Sequence, residues 1–134
     1  EIQAIKKIAE KHAGAGGVRL LWGDTKQGDR GQVVEDFQKD PDVRVFIAQT
    51  QTGGVGITLT AADTMIFYSL DYSYGNHAQA MARIHRIGQK FPVTYIYLLA
   101  SGTIDEAVYE TLQGKRSMAE FVLDRGVDGV AGMI

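Results

Sequence analysis

A chain of 134 residues with net charge −2 and no cysteine is the size of one domain with a sizeable core, and it lacks the means for disulfides or thiolate metal sites. Its composition, 45% hydrophobic and 22% charged, is globular rather than disordered. A pI near 5.9 argues against a free-standing electrostatic nucleic-acid binder, so any nucleic-acid contact would be local or shared with another domain.

The first apolar stripe is Ile2, Ile5, Ile8 and Ala9, with Lys6, Lys7 and Lys11 on the wet side, which predicts a helix over 2–12. A helix placed first in an alternating fold usually follows a strand, so a fragment of a longer polypeptide is expected. Val18–Trp22 is a short apolar run and predicts a buried strand. Asp29 is placed to cap a helix, with Gln32 at its third position, and Asp40-Pro41-Asp42 closes it. Val43–Ala48 and Thr64–Leu70 predict strands. Asn76 is expected to cap a helix bearing arginines. Val93–Ala100 predicts the last strand, and Thr103 with Glu106 forms a capping box before another helix. Helix is expected as far as about Leu123. The glycine-containing end, 126–134, is expected to be a tail or linker after a domain over 1–125.

Strands that are nearly continuous runs of Val, Ile, Leu and aromatics are covered on both faces. Alternating with helices, they predict an α/β fold with a mostly parallel central sheet and helices on both sides. Ligands in such sheets bind beyond the carboxyl ends of the strands. Gly23-Asp24-Thr25, residues 49–56 and residues 71–76 all follow strands. No apolar run reaches the length of a membrane span, no signal peptide is visible, and His12, His77 and His85 lack ligand-like spacing.

The most informative stretch is Gln79–Lys90, QAMARIHRIGQK. On a helix, Gln79, Arg83 and Arg86 at i, i+4 and i+7 share a face, and Ala80, Ile84 and Ile87 form an apolar stripe beside it. Two guanidiniums a turn apart suit a polyphosphate, because each planar fork binds oxygens bidentately and stays charged. No Asp or Glu lies between Tyr72 and Ile104. Ordinary surface arginines on a solvated face would give the same spacing. A second element, Gly53, Gly54 and Gly56 after a strand, has amides suited to phosphate or ribose, with Thr50, Gln51 and Thr52 at the same edge. A plain tight turn would also use those glycines. No G-x-x-x-x-G-K-[ST] run is present, and no nucleophile-base set stands out.

Phosphate-directed arginines in an α/β domain without a phosphate loop describe half an ATPase. QAMARIHRIGQK resembles motif VI of the Swi/Snf-type ATPases of helicase superfamily two, whose run Q-A-x-x-R-x-H-R-I-G-Q is highly specific. TQTGGVGITLTAADTMIFYSLD resembles motif V and the next strand. Gly23-Asp24-Thr25 with Arg30 resembles motif IVa, and Pro92–Glu110 resembles the closing strand and helix. The likeness covers nearly the whole chain and implies the second RecA-like lobe, a three-layer domain. Motif IV would lie just before Glu1, with motifs I to III on the first lobe.

That resemblance implies roles. Arg86, and with it Arg83, would reach ATP across an interlobe cleft as arginine fingers. Gln79, Gly54, Gly56 and Thr58 would border the nucleotide. Gly23, Asp24, Thr25, Thr50 and Gln51 would line a nucleic-acid track that holds phosphates without reading bases. The cofactor would be ATP with magnesium, the metal ligands lying on the first lobe. The partners would be double-stranded DNA and the N-terminal lobe of the same polypeptide, with no membrane and a monomeric isolated domain. The isolated fragment is expected to be inactive as an ATPase. An RNA helicase lobe, or a non-catalytic nucleic-acid-binding or regulatory module of the same fold, stand as alternatives. Trp22, Gln51, Thr58 and Tyr72-Ser73-Tyr74 depart from the common residues of the family. They suggest a bacterial or phage branch, and so a cytoplasmic protein.

Overall fold

The computed structural model describes residues 2–49, 57–70 and 73–131, with side chains as far as residue 118. Its elements run α1 Ile2–Ala13, β1 Val18–Leu21, α2 Arg30–Lys39, β2 Val45–Ala48, β3 Thr64–Phe67, α3 Tyr74–Met81, β4 Thr94–Tyr97 and α4 Ile104–Ala131. This is the alternating α/β order expected. Each strand is shorter than its apolar run. The ends of the runs, such as Trp22, Val43 and Leu98, lie just outside the strands. Two compact units divide the chain, one of 1–65 with 79–94 and one of 66–78 with 95–134.

In the first unit β1 and β2 pair in parallel, with Val18 opposite Val45 and Leu21 opposite Ala48. Parallel neighbours need a crossover, and α2 supplies it. Val18, Leu21, Phe37, Val43, Ile47 and Leu59 are buried. Phe37 of α2 meets Phe46 of β2 edge-on, with ring centroids 5.4 Å apart. The Arg19 guanidinium, through Nε, ties β1 to the Asp36 carboxylate of α2 at 3.0 Å. Asp29 does not cap α2 through its side chain. Gln32, expected in a capping box, donates instead to Asp36 Oδ1 at 2.7 Å.

The second unit is built on aromatic packing. Phe67 of β3 stacks on Tyr97 of β4 at 5.0 Å, and Tyr97 meets Tyr109 of α4 edge-on at 4.9 Å. His77 of α3 is buried beside Phe67 and shares a 2.9 Å hydrogen bond between Nε2 and the Tyr97 hydroxyl. Burial, and then the neighbouring Tyr109, push the Tyr97 phenol above its ordinary range. β3 and β4 form a second two-stranded sheet. The Leu98 amide donates to Phe67 O at 3.0 Å. The Thr94 amide donates to Asp63 O at 2.8 Å. Partner numbers rising together mark a parallel pair.

Helix boundaries differ from expectation in three places. α3 begins at Tyr74, and the cap is Ser73, whose hydroxyl accepts the Asn76 amide proton at 3.2 Å. Asn76 therefore sits inside the first turn and is not the cap. At α4 the Thr103 hydroxyl accepts the Asp105 amide proton, while Glu106 accepts from the Gly102 amide. The reciprocal box is thus shifted by one residue. α4 continues across Gly126 and Gly129 to Ala131, so the end expected as a tail is helical that far.

Candidate functional site

The arginine segment begins as α3, but α3 stops at Met81. Arg83 and Arg86 lie beyond it, in a run of turns. This corrects the expected single helical face. The Arg83 amide donates to Ala80 O at 3.2 Å, a tightened i−3 bond. A continuing helix would use the carbonyls of Arg83 and Ile84 to accept from residues 87 and 88. Both carbonyls are taken elsewhere. Arg83 O accepts the Leu59 amide at 2.8 Å, and Ile84 O accepts Gln89 Nε2 at 2.9 Å. Gly88 then adopts φ +102°, a conformation open to glycine and strained for other residues. The two acceptors that a helix would need for residues 87 and 88 are thus engaged by Leu59 and by the Gln89 side chain.

The consequence is a division of labour. Arg83 is buried, 8% exposed, and burial holds its guanidinium below the usual range. Arg86 is exposed. Its guanidinium makes a long 3.5 Å hydrogen bond to Ile57 O, and among the described residues no carboxylate pairs with it. Ile84 is 1% exposed and anchors the segment, whereas Ile87 is 100% exposed and anchors nothing. Gln79 is exposed near the end of α3.

Three hydrogen bonds tie the turn to the segment 57–62. Besides Ile57 O with Arg86 and Leu59 N with Arg83, Ala62 O accepts Gln89 Nε2 at 2.7 Å. The half-buried Thr58 falls between the first two attachment points. The segment is held in turn by Gln38 of α2, which donates to Thr60 Oγ1 at 3.1 Å and accepts the Ala61 amide proton at 2.7 Å. So the structure brings Thr58, Arg83 and Arg86 together. Gln38 and Gln89 are the residues that sequence reasoning missed. The only signal for Gln89 was its place in the motif; for Gln38 there was none, because its partners are more than twenty residues away.

At the carboxyl ends of β1 and β2 a second group forms. The Thr25 hydroxyl accepts the Trp22 amide proton at 3.0 Å, and the Thr25 amide donates to Trp22 O at 3.0 Å. The Gly23 amide donates to Gln49 Oε1 at 3.1 Å. Gly23 and Asp24 are exposed. The amide of Gly23 is thus already engaged, and Gln49 joins the loop residues expected there. Thr50, Gln51, Gly54 and Gly56 lie outside the described residues. Among the described residues no group of three His, Asp or Glu could hold a metal ion, and no helix is long and apolar enough to cross a membrane.

The model of the helicase conserved C-terminal domain matches residues 1–88, well over half of the chain, and the chain belongs to that family. It is 41% identical over 113 residues to the chromatin-remodeling ATPase INO80 of Mycosarcoma maydis, covering 84% of this chain and 6% of that protein. To INO80 of Aspergillus clavatus it is 44% identical over 109 residues, 81% of this chain and 6% of that one. Among solved structures, the C-terminal part of the Fun30 ATPase domain superposes with a TM-score of 0.71 at 27% identity, covering 82% of this chain and 35% of that one.

These relatives support the α/β, RecA-like fold and the Swi/Snf-type assignment. They overturn the bacterial or phage origin, and the cytoplasmic placement drawn from it, because the INO80 relatives are fungal. The departures at Trp22, Gln51, Thr58 and 72–74 therefore do not mark a bacterial or phage branch. The chain spans about 6% of the length of these relatives.

Proposed function

We propose that this domain is the C-terminal motor lobe of a DNA-dependent ATPase that moves along duplex DNA in chromatin. Arg86, with Arg83, acts on ATP held by the first lobe of the same polypeptide. The observation that carries this is the exposed Arg86 guanidinium, unpaired with any described carboxylate and presented from a turn tied to the segment 57–62. That donor set fits a phosphate. An exposed planar fork offers paired N–H donors and a charge that pH does not remove.

ATP supplies the phosphoryl group whose transfer drives movement. Arg86 would steady the negative charge that grows on that group, a contact strongest in the transition state. Arg83 is buried, so it would bind less through open reach than by fixing the turn and its field. Gln79 and Thr58, with Gly54 and Gly56, would border the nucleotide. Magnesium finds no carboxylate cluster among the described residues, so its ligands are assigned to the first lobe. Gly23, Asp24, Thr25, Thr50 and Gln51 would face DNA phosphates at the strand ends. The named relatives are chromatin-remodeling ATPases, which favours duplex DNA over RNA and a working motor over a non-catalytic module.

The test is ATP turnover by the full-length polypeptide with and without duplex DNA. The proposal expects DNA-stimulated hydrolysis. Equal turnover with and without DNA would refute it.

A further inference from the structure

The side chain of Gln89 has every hydrogen-bonding group of its carboxamide in use. Nε2 donates to Ala62 O at 2.7 Å and to Ile84 O at 2.9 Å. Oε1 accepts the Phe91 amide proton at 3.2 Å. Its own amide donates to Arg86 O at 3.0 Å. A carboxamide offers two donors and an acceptor at fixed angles, so only Asn or Gln can make such a set. One residue therefore closes the turn Arg86–Gln89 locally, takes the Ile84 carbonyl that a helix would have used, and fastens the turn to the segment 57–62.

These bonds hold what the turn alone cannot. Gly88, at φ +102°, is free to adopt many conformations. Ile87 is fully exposed, so no packing fixes it. The Arg86 side chain itself has one long bond. Between the buried Ile84 and the end of the turn, Gln89 supplies the bonds that set where the Arg86 backbone sits. Ala62 is itself held, since Gln38 of α2 grips Thr60 and Ala61. Two carboxamides thus relay the position of α2 to the arginine turn.

We propose that Gln89 is the positioning residue for Arg86: its carboxamide, bonded to the carbonyls of Ala62 and Ile84, fixes the turn from which Arg86 reaches phosphate. It touches no nucleotide and acts through Arg86 alone. The inference rests on the role proposed above for Arg86.

The experiment is single-turnover and steady-state ATP hydrolysis by the full-length protein with saturating duplex DNA, beside a thermal melt. Gln89→Ala is expected to lower kcat about 10- to 100-fold, with KM for ATP near the wild-type value, the scale by which a misplaced group slows an enzyme. Gln89→Glu is the second variant. Its carboxylate still accepts from Phe91 but cannot donate to Ala62 and Ile84, so it is expected to fail like alanine while conserving shape. In an Arg86→Lys background, Gln89→Ala is expected to slow hydrolysis by much less than it does alone, because the group it positions is already impaired. A merely structural role would lower the melt and multiply through both backgrounds. Near-normal kcat in either Gln89 variant, or the same fold-loss with Arg86 and with Lys at that position, overturns the inference. If Arg86→Ala itself keeps near-normal kcat, the role of Arg86 falls first, and the two failures are distinguished.

Discussion

The carbonyl of Arg83 accepts the amide proton of Leu59 at 2.8 Å. The residue expected to continue a helix gives its acceptor to a neighbouring segment instead. With that exchange go a helix α3 that ends at Met81, a buried Arg83 and an exposed Arg86 on the turn that follows. A straight helix would have given the two arginines equal standing. Here one is a buried support and the other is an exposed hand.

Ile84 and Ile87 should therefore respond oppositely. Ile84→Ala is expected to cost about 2–5 kcal/mol of stability, as for a buried aliphatic side chain. Ile87→Ser should leave the melt unchanged, because a fully exposed side chain loses no packing. Denaturant unfolding of both variants checks this. Equal losses would restore the helical stripe.

The two arginines should also separate. Arg83→Ala removes a buried stem and is expected to destabilise by about 1–3 kcal/mol, besides lowering turnover. Arg83→Met refills the stem and should recover much of the stability but not the activity. Arg86→Ala should leave the melt in place. Melting curves paired with ATPase rates test the split. An unchanged melt in Arg83→Ala would contradict it.

The alternation of helices and strands was legible because apolar runs such as Val18–Leu21 and the stripe of α1 obey simple periods. The arginine motif was legible as chemistry but not as shape. Its spacing fits a helix, and nothing local shows that Leu59 and Ala62 would claim its bonds. Ser73 and Asn76 are equally good capping types three residues apart, and the local sequence does not choose between them; the fold puts Ser73 at the cap. The engagement of the Gly23 amide by Gln49 was illegible for a similar reason, since the two are brought together only by β1 pairing with β2.

Acid should loosen the contact between β1 and α2. The Gln32 side chain, and then Arg19, hold the Asp36 carboxyl below its ordinary range. A carboxyl depressed on folding adds stability above its unfolded pKa, and this is lost as pH falls through the lower folded value. Asp36→Asn should therefore flatten the acid limb of the melting temperature against pH. A limb as steep as wild type would show that Asp36 contributes nothing. The pair is partly exposed, so the difference should shrink at high salt.

The isolated domain should hydrolyse no ATP, because its described residues offer no metal-binding cluster and the sequence holds no phosphate loop. Its binding to duplex DNA should be weak and fall steeply with salt, as local phosphate contacts on a chain of net charge −2 require. Filter-binding at low and moderate salt, beside an ATPase assay, measures both. Tight binding at moderate salt would contradict the account.

The most direct measurement is kcat for ATP in full-length Arg86→Ala with saturating duplex DNA. The account predicts a loss of about 10³-fold or more, the scale of an arginine finger. KM for ATP should change little, and the melt should match wild type. Arg86→Lys should recover little, because an ammonium cannot reproduce the planar fork. A kcat near wild type in Arg86→Ala would contradict the account and make this turn a bearer of ordinary surface arginines.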